Sequence, residues 1–572
     1  MFSGRTIIIA GIAALAAALI AFGPAPKRDG DGNTLRIVSF AGPDSIDPGV
    51  SWQGLSWQMQ VNVYNGLLTF RKVTGPAGTD LVPDLAEAMP VIEDGGRTLR
   101  FKVRKGIQFG EPVNREVLPS DLKYSYDRLA KLPSQGAQFF SVIEGFDEVM
   151  KSRKGSVAGV VADDDARTIT FHLKRPDATF LYVLALPFTY AVPKGTALED
   201  LSQKVRTPAT GPYAFTSYDP SRGVTLKRNP VFKVWNEDAT PKGEVDRIDI
   251  KFKVSDENAI TLITQGKADA SLTAIPRSKL PFLLSSKEWA PYMHEHEMAR
   301  ISYIWMNTQV APFDNVKVRK AVNWAINRRA FVKLGGGNGT PTSQILPPTT
   351  PGHTGYDPYP EADLAKAREL IKESGITPGK VTIWCMTTPP SPDSAQYLQE
   401  VLAQLGFEAK TRCLDFSAYY AVVGVKKNKT QIGFGGWGAD YPEGSSFIDS
   451  NLNGAHIDPN HSSNLAWYTG QDKEIARVMG MMDLKARAKA WGELDRKIVE
   501  EDSAWAPYMH GVNRNLVGKR VGNYTFHPLF DLLYSKVTVN GSGTNNKDTH
   551  NHEVGYDADG KPVADDEEGA GS

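Results

Sequence analysis

The residue types that usually carry catalysis are present in this chain, but they do not fall into catalytic spacings. His294 and His296 are two positions apart, so on a strand they would share a face and could offer two nitrogens to a metal ion. No third ligand stands near them, which favours two solvated surface histidines over a metal site. The G-x-S-x-G, H-E-x-x-H and phosphate-loop motifs are absent, and the glycine-rich run at 335–339 lacks the lysine of a phosphate loop. The pattern therefore predicts a protein that is not an enzyme and needs no cofactor or metal.

The charge balance argues against nucleic acid as a partner. The 572-residue chain has 65 Lys and Arg against 65 Asp and Glu, whereas nucleic-acid binders usually carry a basic excess. Its length predicts at least two folding units. The 11 tryptophans, 20 tyrosines and 24 phenylalanines suit large cores, and the alternative is that some tryptophans line a binding cleft.

The two ends of the chain differ in composition from the rest. Residues 6–26 are uncharged and largely apolar, and they stand between Arg5 and Lys27, which is typical of an export signal. Residues 1–32 are therefore expected to be a cleaved signal peptide or an N-terminal membrane anchor, which places the protein in the periplasm or on the outer face of the cytoplasmic membrane. Residues 541–572 have few apolar side chains, so we expect a disordered acidic tail.

The middle of the chain alternates between strand and helix patterns. Residues 380–386 and 407–414 read as two strands, and the segment between them has the apolar periodicity of a helix. This is a β-α-β unit, for which parallel strands are expected. Strand patterns with period two also occur in the first half, at residues 34–40, 98–103, 168–173 and 245–252. The sequence therefore predicts an α/β protein.

The two cysteines of the chain fall on the strands of that β-α-β unit. Cys385 and Cys413 each stand late in their strand, so neighbouring strands would hold the thiols at a similar height. A disulfide between them is one prediction. Two buried free thiols are the other, because the pattern does not say whether the side chains point to the same face.

A series of short segments resembles one protein family over residues 34–537. The segments, in chain order, are SIDP (45–48), VYNGLL (63–68), VPDLAE (82–87), LRFKVRKGIQF (99–109), SDLKYSYDRL (120–129), TGPYAF (210–215), LKRNP (226–230), ITQGKADAS (263–271), YIWMNTQVAPFDNVKVRKAVNWAINR (303–328), GGWGADYPEGSSF (435–447) and WAPYMHGVNRNLV (505–517). Their order is similar to that of the family 5 solute-binding proteins, the peptide and nickel receptors of ABC importers. One departure is GEPVNREVLP (110–119), where the family usually has a shorter acidic-glycine turn.

The resemblance implies a two-lobed fold of the periplasmic-binding-protein type, type II and peptide-binding in class, with an accessory domain in the first lobe. The implied boundaries are residues 33–66, 205–298 and 505–540 for the first lobe, residues 67–204 for its accessory domain, and residues 299–504 for the second lobe. The chain would cross between the lobes near residues 298–301 and again near residues 504–508. These two strands would act as a hinge, with the ligand in the cleft between the lobes.

The same resemblance implies ligand contacts around a tryptophan in the second lobe. Oligopeptide binders of the family carry Gly-Trp followed shortly by Ala-Asp-Tyr, and Gly436, Trp437 and Asp440 occupy these positions here. Asp440 would pair with the α-ammonium of a peptide, and the backbone at Gly436 would hydrogen-bond its main chain. Without the family motif, the pattern alone favours a solvated loop carboxylate at Asp440.

Three further residues are candidate contacts. Tyr508, beside the second crossing, would offer a flat apolar surface to ligand side chains, as would Trp437. Tyr64 and Asn65 would line the cleft on the first lobe.

The function that the resemblance implies is binding of a solute without a chemical reaction. The protein would be the extracytoplasmic component of an ABC importer, a monomer that closes on a peptide and delivers it to a membrane permease. A nickel or metal-chelate receptor is an alternative, for which His510 is the one histidine near a crossing. An oligosaccharide receptor and a secreted hydrolase are further alternatives, although the hydrolase lacks a recognisable nucleophile.

Overall fold

The computed structural model describes residues 33–203, 206–273 and 275–539, and two short strands beyond them. The predicted export signal and nearly all of the predicted acidic tail lie outside the described residues. Within the described part of the chain, no helix is long and apolar enough to cross a membrane.

Strands form three main sheets. The strands are β1 Thr34–Val38, β2 Leu68–Phe70, β3 Leu81–Pro83, β4 Val91–Glu93, β5 Thr98–Lys102, β6 Val160–Asp163, β7 Thr168–His172, β8 Tyr213–Asp219, β9 Gly223–Arg228, β10 Arg247–Lys251, β11 Ala270–Ser271, β12 Met293–Met306, β13 Gly339–Pro341, β14 Lys380–Met386, β15 Glu408–Leu414, β16 Ile432–Gly438, β17 Trp505–Leu516, β18 Val521–Gly522, β19 Phe526–His527, β20 Asp531–Leu532, β21 Thr538–Val539, β22 Gly555–Tyr556 and β23 Pro562–Val563.

Helices cover these sheets. The helices are α1 Gly54–Gln60, α2 Pro119–Lys131, α3 Phe146–Ser152, α4 Thr179–Val183, α5 Asp256–Thr264, α6 Leu280–Ser285, α7 Val316–Ala325, α8 Arg328–Leu334, α9 Leu364–Glu373, α10 Ser391–Gln404, α11 Phe416–Val423, α12 Ile448–Leu452, α13 Asp472–Met479 and α14 Leu484–Lys497.

The first lobe is built on a five-stranded sheet with the order β11-β1-β10-β9-β8. Leu35 and Ile37 of β1 are buried in its core, while Arg36 between them points away and pairs with Asp269 at 3.0 Å. The C-terminal segment completes this core, because Tyr524 and Tyr534 are buried in the same apolar cluster as Leu35. The first lobe is therefore assembled from both ends of the described chain.

A four-stranded antiparallel sheet, with the order β4-β5-β7-β6, lies within the segment predicted as the accessory domain. Every second residue of these strands points into one core. Leu99 and Phe101 of β5 meet their register partners Phe171 and Ile169 of β7 there. Helix α2 packs its apolar face on the same core through Leu122.

The second lobe is built on a six-stranded sheet with the order β13-β17-β12-β16-β14-β15. Strands β14 and β15 are parallel and joined by α10, as the β-α-β pattern predicts. Helix α10 buries Leu398, Val401 and Leu402 against the sheet. The two faces of the sheet belong to different cores, one around Trp305 and Trp505 and the other around Ile304 and Ile383.

Cys385 and Cys413 are direct register partners on β14 and β15, and they form a disulfide with a Cα–Cα distance of 4.3 Å. Paired positions on adjacent strands share a face, so the strand register decides that the two cysteine side chains point to the same side of the sheet.

We expect the Cys385→Ser, Cys413→Ser double variant to lose about 3 kcal/mol of second-lobe stability, since the bridge closes a loop of 28 residues.

Urea unfolding of the double variant and the oxidised parent, followed through the second-lobe transition, measures this loss. The parent in reductant is the matched control and is expected to approach the double variant. Coincident unfolding curves for the oxidised parent and the double variant would contradict the prediction.

Two long paired strands, β12 and β17, connect the lobes. Their pairing is irregular between Glu297 and Ile301, where Gly511 packs against the side chain of Arg300. This irregularity coincides with the predicted first crossing near residues 298–301, and the position of the crossing stays a prediction. At the predicted second crossing, Trp505 pairs with Trp305 inside the second-lobe core.

The chain direction through the hinge decides which sheet edges face the cleft. Strand β12 enters the second lobe, and the antiparallel strand β16 therefore ends toward the first lobe, together with its parallel neighbours β14 and β15. Strand β17 returns to the first lobe, where Val517 bridges antiparallel to Ala270 of β11. Strand β11 and its parallel neighbour β1 therefore end toward the second lobe. The carboxyl ends of strands in both lobes face one another.

Candidate ligand-binding site

Asp440 lies two residues beyond β16, at the edge of the second-lobe sheet that faces the first lobe. Its backbone N–H donates to Ser446 Oγ at 2.9 Å, which fixes the loop. Its carboxylate has no hydrogen-bond donor or cation as a partner among the described residues, although the residue is half-buried. Burial raises the pKa of Asp440 from 3.8 to about 6. A carboxylate in this state is stabilised by an incoming cation.

The strand that leads to Asp440 has an open edge. On one side, β16 pairs with β12 along its whole length, from Ile432 to Gly438. On the other side, β14 pairs with it only at Ile432 and Gly433. Within the described residues, the part of β16 beyond Phe434 therefore has no strand on that side. Such an edge accepts an extended chain as an additional strand.

The glycines of β16 leave space along this edge. Nothing in the described part of the chain lies within 4 Å of the position that a Cβ at Gly438 would take. At Gly436, the nearest atom to that position is Ile301 O at 3.5 Å, which is ordinary contact. Packing inside the lobe does not demand glycine at either position, and a ligand main chain can approach closely at both.

Trp437 is half-buried beside Asp440. It is the register partner of Ile301, so both side chains lie on the Trp305 face of the sheet. Its indole N–H is buried without an acceptor among the described residues. A buried indole N–H normally has a partner, so this donor is available to a bound ligand.

Tyr508 lies on the opposite face of the sheet. It packs against Phe331 and Phe434, with ring-centroid distances of 4.7 and 6.3 Å. Burial raises the pKa of Tyr508 to about 12, and a hydrogen bond with Ser302 opposes this shift. The structure does not bring Tyr508 and Trp437 together on one surface, because a register shift beside Ser302 separates the faces.

Tyr64 and Asn65 lie inside the first lobe instead of lining the cleft. Tyr64 is 2% exposed and packs against Phe215 in the core. The amide of Asn65 donates to Asp84 at 2.9 Å and to Thr240 at 2.8 Å. Both residues are enclosed because they follow α1 after a short turn, at residues 61–63, and Met59 of that helix is buried in the same core as Tyr64. Their expected role as cleft-lining contacts is corrected accordingly.

The histidines do not form a metal site in the described residues, where no group of three potential ligands occurs. The expectation that His294 and His296 are solvated is wrong. Their rings stack on Tyr524 and Phe526 at 4.2 and 4.3 Å, and burial lowers their pKa values to about 4 and 3. His510 is also buried and donates to Gln344 O at 3.0 Å.

A contact between the lobes was not anticipated from the sequence. Tyr441, next to Asp440, packs into the accessory-domain core near Tyr182, with a ring-centroid distance of 6.3 Å. Arg487 of α14 is buried, pairs with Glu443 at 3.0 Å and donates to Thr179 Oγ1 of the accessory domain at 2.6 Å. We name Arg487, Glu443 and Thr179 the interlobe clasp. Arg487 and Thr179 are 308 positions apart in the chain, so no local sequence pattern indicates this contact.

Comparisons with known proteins agree with this architecture. The model of the bacterial extracellular solute-binding proteins, family 5 Middle, matches residues 80–459. Heme-binding protein A of Haemophilus influenzae is 26% identical over 544 residues, covering 90% of this chain and 94% of that protein. Di/tripeptide-binding protein 2 of Pseudomonas aeruginosa is 24% identical over 548 residues, covering 91% and 98%. The glutathione-binding protein GsiB of Salmonella typhimurium is 28% identical over 473 residues, covering 81% and 86%.

Solved structures share the fold. The clavulanic acid biosynthesis oligopeptide binding protein 2 superposes with a TM-score of 0.79 at 24% identity, covering 89% of this chain and 95% of that one. The unliganded open form of the periplasmic murein tripeptide binding protein MppA gives a TM-score of 0.75 at 19% identity, covering 89% and 98%.

Proposed function

Because this chain belongs to the bacterial extracellular solute-binding proteins of family 5, we propose that it captures peptides between its lobes and delivers them to the permease of an ABC importer. The observation that carries the peptide assignment is the open edge of β16 leading to the unpaired carboxylate of Asp440. In this proposal the protein acts as an exported monomer, in the periplasm or at the outer face of the cytoplasmic membrane, and no bond is made or broken.

The carboxylate of Asp440 recognises the amino terminus of the peptide. An α-ammonium is a compact cation with three N–H donors, and burying it is costly unless a fixed anion pairs with it. Asp440 supplies that anion at the end of a strand. A carboxylate that already lacks a partner in the free protein need not break an internal ion pair when the ligand binds.

The edge of β16 recognises the peptide main chain. A peptide laid along Gly436 and Gly438 would exchange N–H and C=O bonds with the backbone, and these bonds do not depend on side-chain identity. Main-chain groups and the ammonium thus define a peptide class, while side chains set preference within it.

Lobe closure couples this recognition to transport. A ligand can contact both lobes where the carboxyl ends of their strands face one another. Such a ligand stabilises the closed form by the difference between its affinities for the closed and open forms. A micromolar dissociation constant corresponds to about −8 kcal/mol, which is enough to shift a two-state equilibrium of a few kcal/mol. The permease would then distinguish loaded from empty protein by shape.

The elevated pKa of Asp440 gives a pH dependence. Affinity for a free-amine peptide is expected to be highest near pH 7 to 7.5 and to fall as the pH drops through about 6, because protonated Asp440 cannot pair with ammonium. At pH 5 the dissociation constant should be about tenfold higher than at pH 7.5. Isothermal titration calorimetry at pH 7.5, 6 and 5 measures it. Asp440→Asn should show no such fall, and an unchanged parent affinity at pH 5 would contradict the prediction.

The proposed function itself is tested with the unmodified protein. Mass spectrometry of ligands that remain bound through purification identifies the cargo, and calorimetry with a tripeptide and its N-acetylated form then compares affinities. Retained peptides and a strong preference for the free amine are expected. Binding of hemin in place of any peptide would overturn the peptide assignment, and hemin is included because one relative is named for heme.

A further inference from the structure

We propose that the cleft contains an aromatic subsite that selects peptides with a flat apolar side chain on their first residue. Phe416, Tyr420 and Trp437 form its second-lobe part, and Phe40 forms its first-lobe part. This inference rests on the proposed function and extends it by naming the side-chain class of the ligand.

Phe416 is the starting observation. It lies two residues beyond β15, at the end of the sheet that faces the first lobe, and its side chain is 62% exposed. Asp415 caps α11 by accepting from Ala418 N at 3.1 Å, so the ring stands on a fixed helix end. Tyr420, one turn later, packs edge-on to it with a ring-centroid distance of 5.1 Å. An exposed phenyl ring on a rigid element gains its apolar contact only when something covers it.

The aromatic surface continues to the carboxylate of the proposed peptide site. Tyr420 and Trp437 are both partly buried against the Trp305 face of the sheet. The hydroxyl of Tyr420 lies within electrostatic reach of Arg300, whose charge opposes the rise in the Tyr420 pKa that burial causes. Arg300 is the register partner of Gly438, and Gly438 stands between Trp437 and Asp440 in the chain. A side chain next to the ammonium therefore meets these rings first.

The first lobe presents a ring at its own facing edge. Phe40 lies just beyond β1, where that strand ends toward the second lobe, and it is 64% exposed. Large exposed phenylalanines are few in the described chain, namely Phe40, Phe282 and Phe416, and two of them stand at the facing carboxyl edges. Closure of the lobes would bring one exposed ring from each edge toward the same ligand.

The character of the surface favours aromatic over aliphatic or cationic side chains. Aromatic rings add offset or edge-on stacking to simple area burial, and the unpartnered indole N–H of Trp437 can donate to a ligand acceptor nearby. Arg300 is exposed and has no ion-pair partner in the part of the chain that the structure describes. Its charge disfavours a lysine or arginine as the first residue of the ligand.

The test compares Phe-Ala-Ala, Ala-Ala-Ala, Ala-Ala-Phe and Lys-Ala-Ala by calorimetry at pH 7.5. Burying a phenyl side chain against aromatic rings predicts about ten- to a hundredfold tighter binding of Phe-Ala-Ala than of Ala-Ala-Ala. Ala-Ala-Phe should gain much less, and Lys-Ala-Ala should bind most weakly. Phe416→Ala should remove most of the advantage of Phe-Ala-Ala over Ala-Ala-Ala, and it should leave the protein folded because its side chain is exposed and not part of the core.

Phe282→Ala is the matched control, since it removes a ring that is 57% exposed from α6 instead of from a facing edge. It should leave the preference intact. Equal affinities of Phe-Ala-Ala and Ala-Ala-Ala, or tightest binding of Ala-Ala-Phe, would overturn the subsite while leaving the proposed function standing. Failure of all four peptides to bind would instead overturn the proposed function.

Discussion

Replacing Asp440 with alanine is expected to weaken binding of a free-amine tripeptide by about a hundredfold or more. Removing one partner of a desolvated charge pair typically costs about 2–5 kcal/mol, because the other charge stays buried without a partner. The N-acetylated peptide has no ammonium, so the same substitution should change its affinity by less than about threefold. Calorimetry of both peptides with both proteins at pH 7.5 separates these cases.

A conservative variant distinguishes lost charge from lost structure. Asp440→Asn keeps the size of the side chain and should lose nearly as much free-amine affinity as the alanine variant. In the absence of ligand it should resist urea better than the parent at pH 7.5, because the raised pKa of Asp440 means that its ionised form destabilises the fold at that pH. Equal losses for the free-amine and acetylated peptides would remove the ammonium assignment.

Replacing Arg487 with alanine is expected to destabilise the protein by about 3–5 kcal/mol, because Glu443 would remain buried without its cation. The side chains of Arg487 and Glu443 are only 1% and 4% exposed, so water does not screen the loss. Urea unfolding measures the stability, and small-angle scattering of the ligand-free protein measures whether the lobes separate. Both a lower midpoint and a larger radius of gyration are expected.

Two variants sharpen this test. Arg477→Ala removes an arginine that is 52% exposed and paired with Glu474 three positions away, and it should change stability by less than about 1 kcal/mol. Thr179→Val removes the accessory-domain end of the interlobe clasp, together with the side-chain hydrogen bond of Thr179 to Asp177, and leaves the Arg487–Glu443 pair in place. It should therefore enlarge the ligand-free protein with little loss of second-lobe stability. Similar effects of Arg477→Ala and Arg487→Ala would contradict a specific role for the clasp.

The elements that the sequence predicts well are those set by local periodicity. The strands of the β-α-β unit, their parallel pairing and the shared height of Cys385 and Cys413 follow from a period of two and a helical connection. The α/β fold and the two lobes follow from the family resemblance, which many ordered segments support. Asp440 was also singled out as a candidate contact through that resemblance, a role that stays a prediction, and the unpaired state of its carboxylate emerged only from the structure.

The predictions that failed depend on contacts distant in sequence. His294 and His296 are buried because Tyr524 and Phe526, more than 200 residues later, cover them. The placement of Tyr508 and Trp437 on opposite faces, which follows from one irregularity in strand register, could not be read from the sequence either, and the role of Tyr508 as a ligand contact stays a prediction. Strand alternation cannot reveal an irregular register, and composition cannot reveal which segment covers a face.

The use of both ends of the described chain in the first lobe has a consequence for biogenesis. Tyr524 and Tyr534 fill the core around Leu35, so that core stays incomplete until the last part of the chain has been synthesised. Contacts between residues this far apart form slowly, because a long stretch of chain must be closed first. In a nascent polypeptide of this design, the first-lobe core can therefore close only when translation is nearly finished.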